Sequence, residues 1–286
     1  MYGRPQSSGG EGSQARLLRF RAAVSAVMRA YAGRELHLYG VTALQFLGVD
    51  LPSSLEDWQT FHVLTPTDQY RPERRGVVSH RSVRASSTWR TRQGVRLLHP
   101  VDHWLQLTRA SDAELVQVGD AILRRRDPLV TLGDFERRLA ESDGTQGIRR
   151  ARRLAKLVVP QTGSLAETRT RLTLIDGGLP CPLVNPPVFC RSVGRTFHVD
   201  MGYVEERVGV EYDGVVHVGN RHQMEIDAIR RRALQEEGWL IITVTADQLR
   251  YPTEVVRSVE AALVMRRAAV GRSTGEGTVI WRSPVR

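Results

Sequence analysis

The chain has 286 residues and a formal net charge of +10; 41% of its residues are hydrophobic and 25% are charged. This length is enough for two domains with full cores, and the composition is that of a globular protein rather than a disordered or fibrous one. No apolar run approaches the roughly 18 residues that cross a bilayer, so we expect no membrane partner. The excess of cations over acids instead predicts a polyanionic partner, most simply nucleic acid.

The N-terminal segment, residues 1–15, is polar and rich in glycine, without the apolar stretch of a signal peptide. We expect it to form a disordered tail. The two cysteines, Cys181 and Cys190, provide neither a metal-binding array nor a disulfide framework. Both features favour a reducing, cytoplasmic location.

Residues 16–158 are predicted to form a basic domain of mixed helices and strands. Apolar residues at helical spacing predict a helix over 16–32 and a short helix over 42–47, each closed by a glycine. Strand-like patterns and then helical patterns occupy the rest of this half. Strands are expected at 60–66, 76–82 and 95–100, and helices at 102–109, 113–126 and 131–141.

Arginine is concentrated in this first half. Eight arginines and a single acid, Glu73, occupy residues 71–96, and further clusters follow at 124–126 and 149–153. A solvated basic face explains any one cluster, whereas their density within one half favours a surface that contacts nucleic-acid phosphates. The residues predicted to make these contacts are Arg74, Arg75, Arg81 and Arg84.

A stretch containing proline and glycine at 158–164 marks a linker. Residues 159–271 are predicted to form a second domain, followed by a polar tail over 272–286. The order of elements in this domain is α-β-β-β-α-β-α, which indicates an α/β (α+β) fold. Helices are expected at 164–176, 222–237 and 253–270, and strands at 184–191, 196–204, 207–213 and 239–245.

The strand at 207–213 carries two acids on one face. Glu211 and Asp213 are two residues apart, so their side chains point the same way. The other face is apolar and carries Val208, Val210 and Tyr212. Because like charges side by side repel one another, the acidic face requires either solvent or a nearby cation.

The preceding strand adds a third acid if the two strands form a hairpin around a two-residue turn at 205–206. This register places Asp200 opposite Glu211, and His198 opposite Asp213. Three crowded carboxylates are hard oxygen ligands that suit Mg²⁺ or Mn²⁺. A solvent-facing acidic patch is the alternative, and a slip of one residue in the register would separate the acids.

Glu167 is a further candidate ligand, but its position also suits a purely structural role. Ser164 and Glu167 have the spacing of a capping box, in which Glu167 binds the backbone of Ser164 at the start of the helix. The residues alone leave both interpretations open.

The residues that follow the acidic strand offer proton and phosphate chemistry. His217 could carry a proton, or it could simply be part of a loop. Asp227 and Arg230 lie one helical turn apart, a spacing that favours an ion pair between them. Arg230, like Arg221, could instead bind a phosphate.

Several of these segments together resemble the PD-(D/E)XK restriction-endonuclease-like superfamily. The order of elements carries the resemblance, with Glu167 on the first helix, Asp200 on the second strand and Glu211 on the third. The segments ETRTRL, VEYDGVVH, DAIRRRAL and EEGWLIITVT are similar, more closely, to an actinobacterial domain of unknown function related to the Vsr very-short-patch repair endonucleases. LYGVTALQFLG and VRLLHPVDHWLQL resemble the winged-helix and AbiEi-type antitoxin regions often found upstream of that domain.

The resemblance implies both a fold and a catalytic site. The fold would be a restriction-endonuclease-like αβββαβα core preceded by a winged-helix-like α+β domain. Glu167, Asp200 and Glu211 would bind the metal, and Asp213 and His217 would complete the site. The implied cofactor is Mg²⁺ or Mn²⁺, and the implied substrate is DNA.

One position departs from the superfamily pattern. Asp213 stands where the E-x-K motif has its lysine, and Lys156, the only lysine of the chain, lies far upstream. In the Vsr-like branch a histidine after the third strand serves proton transfer, and His217 has about that position. The Cys and His ligands of the Vsr structural zinc are absent from the sequence.

The first hypothesis is therefore a Mg²⁺-dependent DNA endonuclease whose basic first domain positions DNA through its backbone. The alternative is a non-catalytic DNA-binding regulator of the antitoxin type with a degenerate nuclease fold, which the missing lysine favours. An RNA-directed nuclease is a third and weaker hypothesis, because no RNA-binding aromatic signature is visible. The sequence leaves a homodimer open.

Overall fold

The computed structural model describes residues 10–66, 72–82, 89–90, 94–214 and 221–273. The chain divides into two compact units, Met1–Thr168 and Arg169–Arg286, later than the boundary predicted at 158/159. Each unit combines helices with β-strands, so the expected mixed α/β class is confirmed. Within the described residues, no helix has the length and apolar character needed to cross a membrane.

The first unit contains a mixed sheet and its covering helices. The elements in chain order are α1 (Gly10–Ala30), β1 (His37–Leu38), α2 (Gly40–Leu47), β2 (Phe61–Pro66), β3 (Val77–Ser82), β4 (Trp89–Arg90), β5 (Arg96–Leu97), α3 (Pro100–Leu105), α4 (Asp112–Ile122), α5 (Leu132–Ala140) and α6 (Ile148–Ala155). The strand order is β3-β2-β1-β5-β4. Strand β1 is antiparallel to β2 and parallel to β5.

Most of the predicted elements of this unit are present, with shifted ends. Helix α1 begins at Gly10, inside the predicted tail, and strand β5 is shorter than the predicted 95–100. The strand ends early because Pro100 starts α3, where its fixed φ suits the first helical turn. Helix α6 has no predicted counterpart, since arginines separate its buried residues, Ala151 and Leu154.

The core of the first unit joins α1, α2 and the sheet. Its buried members include Phe20, Val24, Leu38, Val63 and Leu97. Trp104 on α3 is fully buried, and its Nε1–H donates to the Leu115 carbonyl of α4 at 2.7 Å. This bond satisfies the only polar atom of the indole in an apolar environment.

The second unit is built on a sheet with both parallel and antiparallel strands. Helix α7 (Leu165–Asp176) crosses the boundary between the units, and the elements that follow are β6 (Leu183–Val184), β7 (Pro187–Cys190), β8 (Arg195–His198), β9 (Met201–Tyr203), β10 (Val208–Asp213), α8 (Arg221–Glu236), β11 (Leu240–Thr245) and α9 (Pro252–Ser273). The main sheet has the order β11-β10-β9-β6. Strand β10 is parallel to β11 and antiparallel to β9, while β7 and β8 form a separate antiparallel pair.

The strands predicted at 184–191 and 196–204 are each divided in two. Asn185, in the left-handed region with a φ of 55°, separates β6 from β7. A bend at Asp200 separates β8 from β9. Both breaks move the chain from one sheet to the other, so an uninterrupted strand was the wrong prediction in each case.

The two faces of the main sheet pack against different helices. One face lies against α7 and α9, and its buried cluster includes Leu174, Val208, Val210, Val259 and Leu263. The other face lies against α8 and the β7–β8 pair, and its cluster contains Val188, Cys190, Val199, Ala233, Leu234 and Trp239. Gly209 points to this second face, because a side chain added there would meet Ile241 and Val199. Glu211, two residues further on, shares that face.

Candidate functional site

The β9–β10 hairpin has the predicted register. The described pairs are Tyr203 with Val208, Gly202 with Gly209, and Met201 with Val210. The Arg207 N–H donates to the Val204 carbonyl at 3.2 Å, which closes the turn around residues 205–206. Arg207 has a left-handed φ of 52°, so the chain turns here without the glycine that tight hairpins favour.

Asp200 lies directly before β9 and is only 5% exposed. Its Oδ2 accepts a hydrogen bond from the Tyr212 N–H at 3.1 Å. Because Tyr212 follows Glu211 on β10, this bond brings the Asp200 carboxylate next to Glu211. The structure therefore places these two predicted site residues together at one end of the hairpin.

His198 does not lie opposite Asp213, so that prediction was wrong. His198 ends β8 and pairs with Pro187, whereas Asp213 pairs with Thr245 of β11. The bend at Asp200 is the physical reason, because it takes His198 out of the main sheet. The His198 Nδ1 instead lies 3.0 Å from the carbonyl oxygen of Asn185.

Glu211 is bound by an arginine of helix α8. Arg230 Nη1 donates to Glu211 Oε2 at 2.9 Å, and Arg230 Nη2 donates to Glu211 Oε1, so the guanidinium binds both oxygens. Nη2 also donates to the His198 carbonyl at 2.7 Å. The ion pair is therefore bidentate. Its Arg230 and Glu211 side chains are only 19% and 17% exposed, so it is also largely desolvated.

The acids around Arg230 fix its charge. Burial on its own would lower the pKa of Arg230, but the hydrogen bonds and charge of Glu211, followed by the charges of Asp200 and Asp227, raise it above its ordinary value. Arg230 is thus a permanent cation in the site. The predicted pairing of Arg230 with Asp227 is secondary, because Glu211 is the direct partner.

The donor chemistry of this site suits a hard divalent cation. Asp213 is exposed at the end of β10. Within the described ranges, no group of three His, Cys, Asp or Glu side chains is arranged to hold a metal ion. Mg²⁺, however, binds proteins through one or two carboxylates and retains several waters. Asp200 and Glu211 fit such an ion in number and chemistry, with the condition that Glu211 releases at least one bond from Arg230.

Glu167 has the structural role that its spacing from Ser164 suggests. The Glu167 N–H donates to Ser164 Oγ at 3.1 Å, and the Gly163 N–H donates to Glu167 Oε2 at 2.7 Å. Arg125 Nη2 donates to the same carboxylate oxygen at 3.3 Å. The predicted capping bond from the Glu167 N–H to Ser164 Oγ is therefore present, whereas the backbone N–H that binds Glu167 Oε2 is that of Gly163 in place of the predicted Ser164. These partners lie in the first unit, and metal binding by Glu167 stays a prediction.

The predicted nucleic-acid contacts are described only in part. Arg74 and Arg75 are exposed in the turn before β3, and Arg81 is exposed on β3 itself. Arg221 is the first residue of α8. Outside the described residues lie Arg84, His217 and the side chain of Arg221.

The sequence contains a signal that Arg230 has its partner on the sheet. Arg230 lies four residues before the buried Leu234, so both residues occupy the face of α8 that is turned towards the sheet. No sequence pattern indicates the bond from Arg230 to the His198 carbonyl, because that bond depends on the bend after β8. Sequence reasoning therefore missed the bidentate ion pair as well as its anchor on the neighbouring strand.

Comparisons with known proteins identify two bacterial relatives. The chain is 32% identical over 117 residues to two uncharacterized proteins of Mycobacterium tuberculosis, one from strain CDC 1551 / Oshkosh and one from strain H37Rv. The match covers 41% of this chain and 43% of each relative, so the chain spans less than half the length of the curated relatives it matches. No family model and no solved structure matches the chain.

Proposed function

We propose that the second unit is a metal-dependent DNA endonuclease that hydrolyses phosphodiester bonds with Mg²⁺ or Mn²⁺ as cofactor. The observation that carries this proposal is the meeting of Asp200, Glu211 and Arg230 at one end of the β9–β10 hairpin. Two carboxylates suit a hard cation, and a guanidinium suits a phosphate. Phosphodiester hydrolysis requires both kinds of group.

The topology of the second unit supports the same proposal. The acids lie on an antiparallel pair, β9 and β10, and β10 leads through α8 to the parallel strand β11. This order is the one expected from the resemblance to the PD-(D/E)XK superfamily. Strand β10 lies between β9 and β11 in the sheet, and Glu211 is paired with Thr243 of β11.

Each residue of the proposed site has a distinct task. Asp200 and Glu211 would hold the cation, which would polarise a phosphoryl oxygen and lower the pKa of a bound water. Arg230 binds a phosphate oxygen of the scissile strand. His217 moves a proton to or from a reacting oxygen, in the place of the lysine that Asp213 replaces.

The first unit is proposed to position the nucleic acid. Arg74, Arg75 and Arg81 are exposed close to one another along the chain, at the start of β3 and on it. Contacts of this kind neutralise phosphates and carry little sequence information. The proposed partner is DNA bound by a winged-helix-like region, with RNA as the weaker candidate.

Plasmid cleavage in the presence of Mg²⁺ or Mn²⁺ tests the proposed activity. Asp200→Ala and Glu211→Ala should each abolish cleavage, since each removes a proposed metal ligand. Asp247→Ala provides a matched control, because Asp247 is an exposed acid of the same unit that pairs with Arg250. Cleavage that survives in both site variants would exclude the assignment of the site.

One observation favours a second candidate function. Both oxygens of Glu211 are bound by Arg230, and Asp213 replaces the lysine of the resembled motif. A scaffold of this kind could serve a DNA-binding regulator of the antitoxin type that does not cut. Metal-independent binding to its own promoter, together with intact supercoiled, linear and single-stranded substrates, would select this function.

A further inference from the structure

A single guanidinium occupies both carboxylate oxygens of Glu211. The bonds from Arg230 are bidentate, and a third bond to the His198 carbonyl fixes the plane of the fork. A bidentate pair of this type has a defined geometry, and burial protects it from screening by salt. Glu211 is consequently held by Arg230 whenever no competing ligand is present.

A divalent cation and Arg230 compete for Glu211. Mg²⁺ binds carboxylate oxygens at about 2.0 to 2.1 Å, closer than any hydrogen bond from a guanidinium. A cation at that distance would lie beside the positive charge of Arg230 in a site where each side chain is less than one-fifth exposed. Like charges repel strongly in such a partly desolvated site, so one of the two must leave.

Arg230 has an alternative acceptor if the ligand is a nucleic acid. A phosphate group offers the same planar, bidentate match to a guanidinium as a carboxylate does. An arginine that moves from Glu211 to a phosphate loses little hydrogen bonding, and it releases the carboxylate for the cation. The presence of a phosphodiester therefore removes the competitor of the metal.

We propose that Arg230 is a positioning residue that exchanges between Glu211 and a backbone phosphate, so that a divalent cation and DNA bind cooperatively. This inference rests on the nuclease function proposed for the second unit. Without DNA, Arg230 keeps Glu211 paired and the affinity for the cation low. With DNA bound, the cation gains access to Glu211, and by linkage the cation strengthens DNA binding by the same factor.

Binding of Mn²⁺ to the full chain, followed by electron paramagnetic resonance of the free ion, tests this exchange without any need for cleavage. Arg230→Gln should bind Mn²⁺ about tenfold more tightly than the wild type when no DNA is present, in line with typical coupling between sites. Arg232→Gln is the matched control, because this exposed arginine of the same helix pairs with Glu236 and should leave Mn²⁺ affinity unchanged. A merely structural role for Arg230 predicts the opposite result, since a damaged site binds the ion more weakly.

The second arm adds a DNA duplex with phosphorothioate linkages, which retain the backbone charge. Wild-type protein should then bind Mn²⁺ about tenfold more tightly, whereas Arg230→Gln should gain much less. The DNA duplex itself binds some Mn²⁺. This background is measured with the Glu211→Gln variant, which lacks the proposed metal ligand, and is subtracted. Arg230→Lys retains the charge and the aliphatic stem, but its ammonium cannot bind both carboxylate oxygens as a guanidinium does. Without DNA it should bind Mn²⁺ more tightly than the wild type, by a smaller factor than Arg230→Gln. It replaces Arg230→Gln in the test if that variant does not fold.

The possible results separate the two proposals. Equal or weaker Mn²⁺ binding by Arg230→Gln, in a protein whose binding still requires Glu211, would overturn the exchange and leave the nuclease proposal standing. Absence of any Mn²⁺ binding that depends on Glu211 would overturn both. Tighter Mn²⁺ binding by Arg230→Gln, together with plasmid that the wild-type protein leaves intact, would support the exchange and reject the nuclease.

Discussion

Arg230 and Glu211 join helix α8 to strand β10 through a bidentate ion pair, and each side chain is less than one-fifth exposed. The same guanidinium binds the carbonyl of His198, the last residue of β8. One side chain thus links a helix, the main sheet and the smaller β7–β8 pair. Its loss should affect the stability of the second unit as well as the proposed metal site.

Glu211→Gln should lower the free energy of unfolding by about 2 kcal/mol, because removing one partner leaves the other charge buried without full compensation. Arg230→Gln should have a similar effect, and the double variant should cost less than the two single changes together. Urea denaturation monitored by circular dichroism measures all three variants. Arg232→Gln is the control and should be unchanged. Additive effects of the two single changes would show that the pair itself contributes no stability.

Two substitutions of Asp200 separate its structural role from its proposed role in metal binding. Asp200→Asn retains a carbonyl oxygen that can accept the bond from the Tyr212 N–H, so its stability should stay close to that of the wild type. Asp200→Ala removes the acceptor and should cost about 1 to 2 kcal/mol. Neither variant retains the negative charge that the proposed metal ligand requires, and under the proposed function both should lose plasmid cleavage. Equal stability of Asn and Ala variants would contradict the role assigned to the Tyr212 bond.

Close packing at Gly209 gives a test of the face that carries Glu211. A Cβ added at Gly209 would lie 2.6 Å from Ile241 Cδ1 and 2.7 Å from Val199 Cγ1. Gly209→Ala should therefore destabilise the second unit by about 1 to 3 kcal/mol through overpacking. Gly133→Ala is the control: Gly133 lies in helix α5 with open space around its Cβ position, and alanine there should be neutral or stabilising. Thermal unfolding of the two variants distinguishes them.

The features predictable from the sequence are those that local patterns determine. The register of β9 and β10 follows from a short turn and alternating residues, and both match the structure. The break at Asp200 is not local, because the chain there leaves one sheet for another while its apolar alternation continues. The pair between Arg230 and Glu211 depends on how α8 packs on the sheet, which only the position of Leu234 hints at. Tertiary packing therefore decided what the sequence left open at the site.

The first unit should lose stability in acid because of His103. Burial, the largest cause, lowers the pKa of His103 to about 3, and its Nδ1 accepts a bond from the Gly40 N–H at 3.2 Å. In the unfolded chain the pKa is about 6.5. Above that pH, His103 is neutral in both states and causes no loss of stability. Below it, the unfolded state binds a proton that the folded state does not. The free energy of unfolding should then fall by as much as about 1.4 kcal/mol per pH unit as the pH decreases towards 3.

His103→Asn tests the source of this acid sensitivity. Asparagine can still accept the bond from the Gly40 N–H, but it does not titrate. Urea denaturation over a series of pH values should show a smaller slope in the variant than in the wild type. Some slope should remain, because burial also lowers the pKa of His62 and of His99. An unchanged slope would mean that His103 is not the group responsible.

The phosphate binding proposed for the first unit predicts a specific dependence of DNA affinity on salt concentration. Arg74, Arg75 and Arg81 are exposed, and none of them forms an ion pair within the part of the chain that the structure describes. Changing all three to Gln should weaken DNA binding and reduce the slope of log K against log salt by about 0.9 for each phosphate that the variant no longer neutralises. Arg137→Gln is the control, since Arg137 is equally a surface arginine of the first unit but lies outside the arginine clusters and is paired with Asp134. Fluorescence anisotropy of a labelled duplex at several salt concentrations measures both quantities. Because codon usage alone can enrich a surface in arginine without creating a binding site, a slope that stays unchanged in the triple variant would place the phosphate-binding residues elsewhere on the chain.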